Sequence, residues 1–141
     1  MPRAGVYRVS IFKACDIRGV YGTELDADTA LLLGKAIGTR NRGKQVAVAG
    51  DLRVSTPALL LSLIRGLRDT GADVVDLGLV ATPVFYFGKD LVQADAGVMV
   101  TASHNPGQYN GFKIILGELP VIPEDLAALA EEMHAGVFSK G

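Results

Sequence analysis

At 141 residues, 49% of them hydrophobic, the chain is the size of one globular domain and apolar enough to bury a core. Its 14 Lys and Arg are matched by 15 Asp and Glu, a net charge of -1 that argues against the broad basic surface with which proteins hold nucleic acid. A lone cysteine, Cys15, excludes an internal disulfide or a dithiol pair, residues 1–12 lack the apolar core of a signal peptide, and no apolar stretch nears the roughly 20 residues that cross a bilayer, so the sequence reads as cytoplasmic, with no nucleic-acid or membrane partner.

Residues 6–12 read as an extended segment or short strand. Over residues 26–40, Leu31, Leu32, Ala36 and Ile37 recur at helical spacing, and Gly34 and Gly38 share a face, which predicts a helix packed closely on a sheet. Residues 46–50 form a short apolar run that ends at Asp51, and Ser55-Thr56-Pro57 opens a second helix over residues 57–70 that stops at Gly71. The pattern repeats with a strand over residues 73–77, a shorter helix from Thr82-Pro83 and a strand over residues 96–100. Residues 112–116 read as a further strand, and residues 123–134 as a closing helix with Leu126, Leu129, Ala130 and Met133 as its buried stripe. The small, polar residues 136–141 read as a terminus or as the start of a connection. This alternation predicts an α/β layer structure with a largely parallel sheet.

Thr101-Ala102-Ser103-His104-Asn105-Pro106-Gly107 follows the 96–100 strand and precedes Tyr109-Asn110-Gly111-Phe112-Lys113. The carboxyl end of a strand is where open α/β sheets present ligand-binding groups. A serine hydroxyl becomes a useful nucleophile when a neighbour takes its proton or cations stabilise the charge it acquires. His104 and Lys113 are candidates for both tasks. A phosphate on Ser103 would add a charge of about -1.5 to -2 and call for Lys, Arg, backbone N–H groups or a metal beside it. Taken alone, these residues equally suit a hydrogen-bonded turn, because Ser, Asn, Pro and Gly are what turns select.

The full string Thr-Ala-Ser-His-Asn-Pro followed by Tyr-Asn-Gly-Phe-Lys resembles the active-site serine loop of the α-D-phosphohexomutases, the phosphoglucomutase and phosphomannomutase family. Ile11-Phe12-Lys13-Ala14-Cys15-Asp16-Ile17-Arg18-Gly19-Val20 is similar to that family's opening loop, and Gly50-Asp51-Leu52-Arg53 to its segment after the second strand. The resemblance runs over nearly the whole chain and corresponds to the first of the family's four domains. It implies that residues 1–141 form one three-layer α/β/α sandwich around a mixed, largely parallel sheet.

The resemblance also implies a chemistry. Ser103 would be the phosphoserine that gives its phosphoryl group to a hexose monophosphate and takes the other phosphate back from the bisphosphate so formed, moving phosphate between C1 and C6 of glucose or mannose. Arg18 and Lys113 match residues that face the reacting phosphate or sugar, and His104 follows the serine. Asn105, Asn110 and Arg53 are the substrate contacts carried over, although an Arg just past a strand could equally be a surface ion pair. Family members hold Mg2+ through the phosphoserine and three aspartates of an Asp-Gly-Asp-x-Asp motif in the second domain, and hexose 1,6-bisphosphate serves as activator. This chain has no such motif, so only the phosphate on Ser103 would reach the metal; Asp26-Ala27-Asp28 sits at a predicted helix start and reads as a cap. Cys15 stands where many relatives have tyrosine and reads as an inert, half-buried thiol. The expected partners are a hexose phosphate and the remaining domains of the same enzyme, without which the chain is expected to be inactive. The alternative is a stand-alone module that binds phosphosugars without turnover, although neither G-x-x-x-x-G-K-[ST] nor G-x-G-x-x-G occurs.

Overall fold

Residues 11–141 are described in a computed structural model of the chain. In chain order the elements are β1 (Ile17–Val20), α1 (Ala27–Arg40), β2 (Gln45–Gly50), α2 (Thr56–Asp69), β3 (Asp73–Leu79), α3 (Thr82–Leu91), β4 (Ala96–Val100), β5 (Tyr109–Leu116), β6 (Leu119–Pro120) and α4 (Pro123–Ala135). Most of the extended segment expected over residues 6–12 lies outside the described residues. Phe12 forms an isolated antiparallel bridge to Ile17. The strands β1 and β6 have no counterpart in the sequence reading, being too short to show an apolar run.

Local chemistry explains the helix ends. Asp26 caps α1 by accepting the Thr29 N–H at 3.0 Å, while Thr29 Oγ1 accepts the Asp26 N–H at 3.0 Å, a reciprocal box that satisfies two otherwise unpaired donors. Proline stands in the first turn of α2, α3 and α4, where no intrahelical N–H partner is lost. Gly136 closes α4 at φ 71°, a left-handed conformation that a side chain would disfavour.

The sheet order is β1-β5-β4-β2-β3, with β6 added beside β5. It is mixed and largely parallel, as expected: β2 pairs in parallel with β3 and β4, and β5 alone among the described strands is reversed, antiparallel to β4, β1 and β6, so that β1 and β6 run in the same direction as β2. The reversal of β5 has a simple cause. Residues 101–108 join β4 to β5, and a parallel return needs a crossover of about a dozen residues or more.

Helices cover both faces, so the architecture is α/β/α. Val46 and Val48 of β2 and Val98 and Val100 of β4 share a core with Ala30, Leu33 and Ile37 of α1, with Leu59, Leu63 and Leu67 of α2, and with Leu126, Leu129 and Met133 of α4. Leu31 and Leu32 lie half-buried at the edge of the α1 stripe. On the other face, Ala49, Met99 and Ile115 pack on Phe85 of α3. Gly34 and Gly38 do not meet the sheet. A Cβ on Gly34 would lie 2.4 Å from the Leu63 carbonyl oxygen, and one on Gly38 would lie 2.0 Å from Thr70 Oγ1, so these glycines let α1 press on α2. Helical spacing reveals a common face and not which neighbour that face meets.

The chain end is docked on the fold. Phe138 packs against the main core, Ser139 Oγ donates to the Thr70 carbonyl at 2.6 Å, and Gly141 N–H donates to the Asp69 carbonyl at 2.9 Å. Among the described residues no helix is long and apolar enough to cross a membrane.

Candidate functional site

The parallel strands deliver three chain segments to one edge of the sheet. Asp51 N–H, just past β2, donates to the Val100 carbonyl at the end of β4, and Val80 N–H, just past β3, donates to the Gly50 carbonyl at 2.8 Å. An open cleft lies there, lined by Asp51, Thr101, Ser103, His104 and Lys113 together with residues 80–83, which lead into α3. The carboxyl edge of β2, β3 and β4 is the place the sequence reading assigned to chemistry.

Ser103 is exposed and adopts φ 56°, a left-handed conformation that is uncommon for a residue with a Cβ. Side chains hold its backbone on both sides. The Ser103 N–H donates to Thr101 Oγ1 at 3.0 Å, and its carbonyl accepts from Arg53 Nη2 at 2.8 Å. The Thr101 hydroxyl in turn donates to Asp51 Oδ2 at 2.7 Å.

Asp51 is the junction of these contacts. It also accepts from Thr56 Oγ1 at 2.8 Å, from the Arg53 backbone N–H at 3.0 Å and from Arg53 Nε at 3.1 Å. Burial pushes its carboxyl up, but the hydrogen bonds from Thr101, the Arg53 backbone and Thr56, with the charge of Arg53, outweigh burial and hold it below its ordinary value.

Arg53 was expected at the substrate or in a surface ion pair, and its guanidinium pairs with Asp51 and turns to the carbonyls of the Ser103 loop. Its side chain is only 12% exposed. Nε serves Asp51, Nη1 donates to the carbonyls of Pro106 (2.7 Å) and Tyr109 (3.0 Å), and Nη2 to those of Ser103 (2.8 Å) and Asn105 (2.7 Å). A guanidinium has five N–H donors, and these five bonds use them all. Asn105 folds back on the loop, its side-chain amide donating to the Ala102 carbonyl at 2.8 Å. Asn110 was also expected at the substrate, and its side chain is turned to protein partners. It is fully buried in β5, its amide donating to Ser55 Oγ and Thr56 Oγ1 and its Oδ1 accepting the Gly111 N–H.

The two expected cations meet at one carboxylate. Asp16 Oδ1 accepts from Arg18 Nε at 3.0 Å, and Oδ2 lies 3.8 Å from Lys113 Nζ. Lys113 lines the cleft with Ser103 and His104; Arg18 does not line it and joins it through Asp16. Gly111 brings β1 this close, because a Cβ there would lie 2.0 Å from the Ile17 carbonyl oxygen. Cys15, expected half-buried, is exposed.

Asp16, Asp51 and Thr101 went unassigned in the sequence, although all three stand inside its motifs. A signal was available for two of them. Asp51 and Thr101 are polar residues that directly follow buried apolar runs, where an unpaired polar group is costly and a partner must exist. Among the described residues no group of three or more His, Cys, Asp or Glu comes together, and both carboxylates nearest the site are engaged by cations.

Residues 9–140 match the family model described as phosphoglucomutase/phosphomannomutase, alpha/beta/alpha domain I. A phosphomannomutase/phosphoglucomutase of Pseudomonas aeruginosa is 44% identical over 142 aligned residues, which cover 99% of this chain and 31% of that protein. A phosphomannomutase of Klebsiella pneumoniae is 41% identical over 130 residues, covering 89% of this chain and 83% of that relative. The crystal structure of a phosphoglucomutase/phosphomannomutase family protein from Burkholderia thailandensis superposes with a TM-score of 0.89 at 42% identity, over 96% of this chain and 32% of that one. The chain therefore spans about a third of the length of the Pseudomonas and Burkholderia proteins.

Proposed function

The chain belongs to the phosphoglucomutase/phosphomannomutase family, and we propose that it is the domain of a hexose-phosphate mutase that carries the phosphorylated serine, Ser103. The observation that supports this reading best is the cleft itself. An exposed serine on a backbone held from both sides shares it with Lys113 and His104, at the carboxyl edge of the parallel strands.

In this reading phospho-Ser103 gives its phosphoryl group to a free hydroxyl of a glucose or mannose monophosphate. The bond between phosphorus and the sugar oxygen forms as the bond to Ser103 Oγ breaks, and the hydroxyl proton leaves to a base, a role for which His104 is the cleft's candidate. The bisphosphate then turns over and returns its other phosphate to Ser103, so phosphate moves between C1 and C6. Phosphoryl transfer asks a protein chiefly for positioning and charge stabilisation. The Lys113 ammonium supplies charge, Arg18 adds to it through Asp16, and the first turn of α3, which has no side-chain cap, directs the positive end of its dipole at the cleft.

Mg2+ would supply further positive charge to the transferring oxygens. The residues of this chain do not make a magnesium site by themselves, since Asp16 and Asp51 are already paired with cations. Ser103, through its phosphate, is this chain's one contribution to such a site, and the other ligands and the rest of the sugar site belong to further domains of the same enzyme. Hexose 1,6-bisphosphate would act as activator by phosphorylating Ser103. A cytoplasmic setting suits the lone cysteine and a hexose phosphate substrate.

A peptide map and intact mass of the protein from its native source test the reading. Phosphate on Ser103 in a polypeptide several times this size, with mutase turnover lost in Ser103→Ala, is the expected result. An unphosphorylated Ser103 with undiminished turnover in Ser103→Ala would overturn it. A polypeptide of this size that binds hexose phosphate without turnover would point to a binding module instead.

A further inference from the structure

We propose that Arg53 is the positioning residue of the nucleophile loop, holding Ser103 in the left-handed backbone conformation from which its hydroxyl is presented to the phosphoryl group. The proposal rests on the reading of Ser103 as the phosphoryl carrier, but the structural half of it stands independently.

Residues 101–108 have little of their own to hold them in shape. Within the loop, the Asn105 backbone and side-chain N–H groups both go to the Ala102 carbonyl, and the Tyr109 N–H goes to the Pro106 carbonyl at 2.9 Å. The carbonyls of Ser103, Asn105, Pro106 and Tyr109 all converge on one guanidinium. A loop whose carbonyls turn inward onto a single cation is closed around that cation. Its shape depends on a donor that branches in a plane.

Ser103 is where that shape is under tension. A residue with a Cβ at φ 56° persists only when its surroundings over-determine it. Here the N–H is held by Thr101 and the carbonyl by Arg53, and Asp51 holds both of these side chains in turn. Asp51 and Arg53 lie on the segment after β2, about 50 residues away in sequence, so the buried end of the sheet sets the conformation of an exposed serine.

Only arginine has the donor pattern for this. Lysine carries the same charge but presents three donors from one point, and it cannot span four carbonyls and a carboxylate. Arg53→Lys therefore separates charge from geometry.

The test compares the wild-type chain with Arg53→Lys and Arg53→Gln by nuclear magnetic resonance, and compares their turnover in the native polypeptide. In the wild type, the Arg53 guanidinium protons are expected to exchange slowly, and Ser103 to show the strong intraresidue cross-peak between amide and α protons that a positive φ produces. In folded Arg53→Lys the Ser103 signature is expected to be lost. Turnover should fall about 100-fold in kcat with KM within about threefold, because misplacement by about 1 Å costs that much rate without removing a substrate contact. Freely exchanging Arg53 guanidinium protons in the wild type would overturn the proposal, and this measurement needs no variant to fold. A folded Arg53→Lys that keeps both the Ser103 signature and kcat would also overturn it. A Ser103 that never carries phosphate in the wild type would sink the mutase reading alone, with the resonance data still deciding the clamp.

Discussion

Lys113 Nζ lies 3.8 Å from Asp16 Oδ2, where β5 passes the start of β1, and the other oxygen of that carboxylate accepts from Arg18 Nε. Asp16 is thus the anion that aims two cations, and its side chain is 12% exposed against 30% and 35% for theirs. Asp16→Ala leaves both cations with access to water, so the stability loss is expected to be about 1 kcal/mol, at the modest end for charged hydrogen bonds. In the mutase proposed above, the loss of turnover should be larger than that, because a cation that swings away would no longer meet the phosphoryl oxygens. Urea unfolding and kcat on the same variant separate the two effects. Unchanged kcat would remove Asp16 from the site.

Thr101→Val keeps the shape of a side chain that is 3% exposed and removes its hydroxyl. The Ser103 N–H loses its acceptor and Asp51 loses a donor, which is expected to cost about 1 to 3 kcal/mol. Hydrogen exchange at the Ser103 amide should accelerate beyond what that loss of global stability explains. Thr101→Ser, which retains the hydroxyl, should recover most of the loss; if it does not, the methyl group and not the hydrogen bond is what matters.

The parts of the structure that were legible in the sequence are those written in local chemistry. The Asp26 cap of α1, the Ser55-Thr56-Pro57 start of α2 and the buried run of β4 each depend on residues within a few positions of one another. The resemblance to the mutases singled out Ser103, His104 and Lys113 together, and all three line one cleft. The roles of Arg53 and Asn110 were not legible, because every acceptor Arg53 has on the loop lies 50 to 56 residues away, and the Asn110 partners lie 54 and 55 away. A motif names which residues accompany the serine and is silent on whether each faces the ligand or the protein. The pairing of α1 with α2 through Gly34 and Gly38 escaped for the same reason.

Gly111→Ala tests how closely β1 must approach. The added methyl would sit 2.0 Å from the Ile17 carbonyl oxygen and 3.0 Å from Arg18 Cα, both backbone atoms that cannot rotate aside. Relief requires β1 to part from β5, at a cost of about 3 kcal/mol or about 10 °C in the thermal midpoint. Arg18 and Asp16 would move with β1, so the proposed phosphoryl transfer should suffer too. Gly107→Ala is the control, since a Cβ there meets nothing within 4 Å. Equal midpoints for the two variants would show that the β1–β5 contact is loose.

Asp51 makes the Ser103 loop sensitive to acid. Burial alone would raise its carboxyl, yet the hydrogen bonds from Thr101, the Arg53 backbone and Thr56, with the charge of Arg53, hold it below the ordinary 3.8 in the folded chain. At pH values above 3.8 both folded and unfolded chains carry the charge, and the stabilisation from these bonds is fully present. As the pH falls through 3.8 the unfolded chain takes up its proton first, so the stabilisation shrinks, and it is gone once the folded carboxyl is protonated as well. Other carboxylates titrate in the same window, so the quantity to measure is the difference in unfolding free energy between the wild type and Asp51→Asn. That difference should be constant from about pH 7 to about pH 5 and diminish below about pH 4. Because Asp51 holds both Thr101 and Arg53, exchange at the Ser103 amide should quicken over the same acid range, before the core unfolds. A difference as large at about pH 3 as at about pH 7 would mean that the Asp51 charge is not what holds the loop.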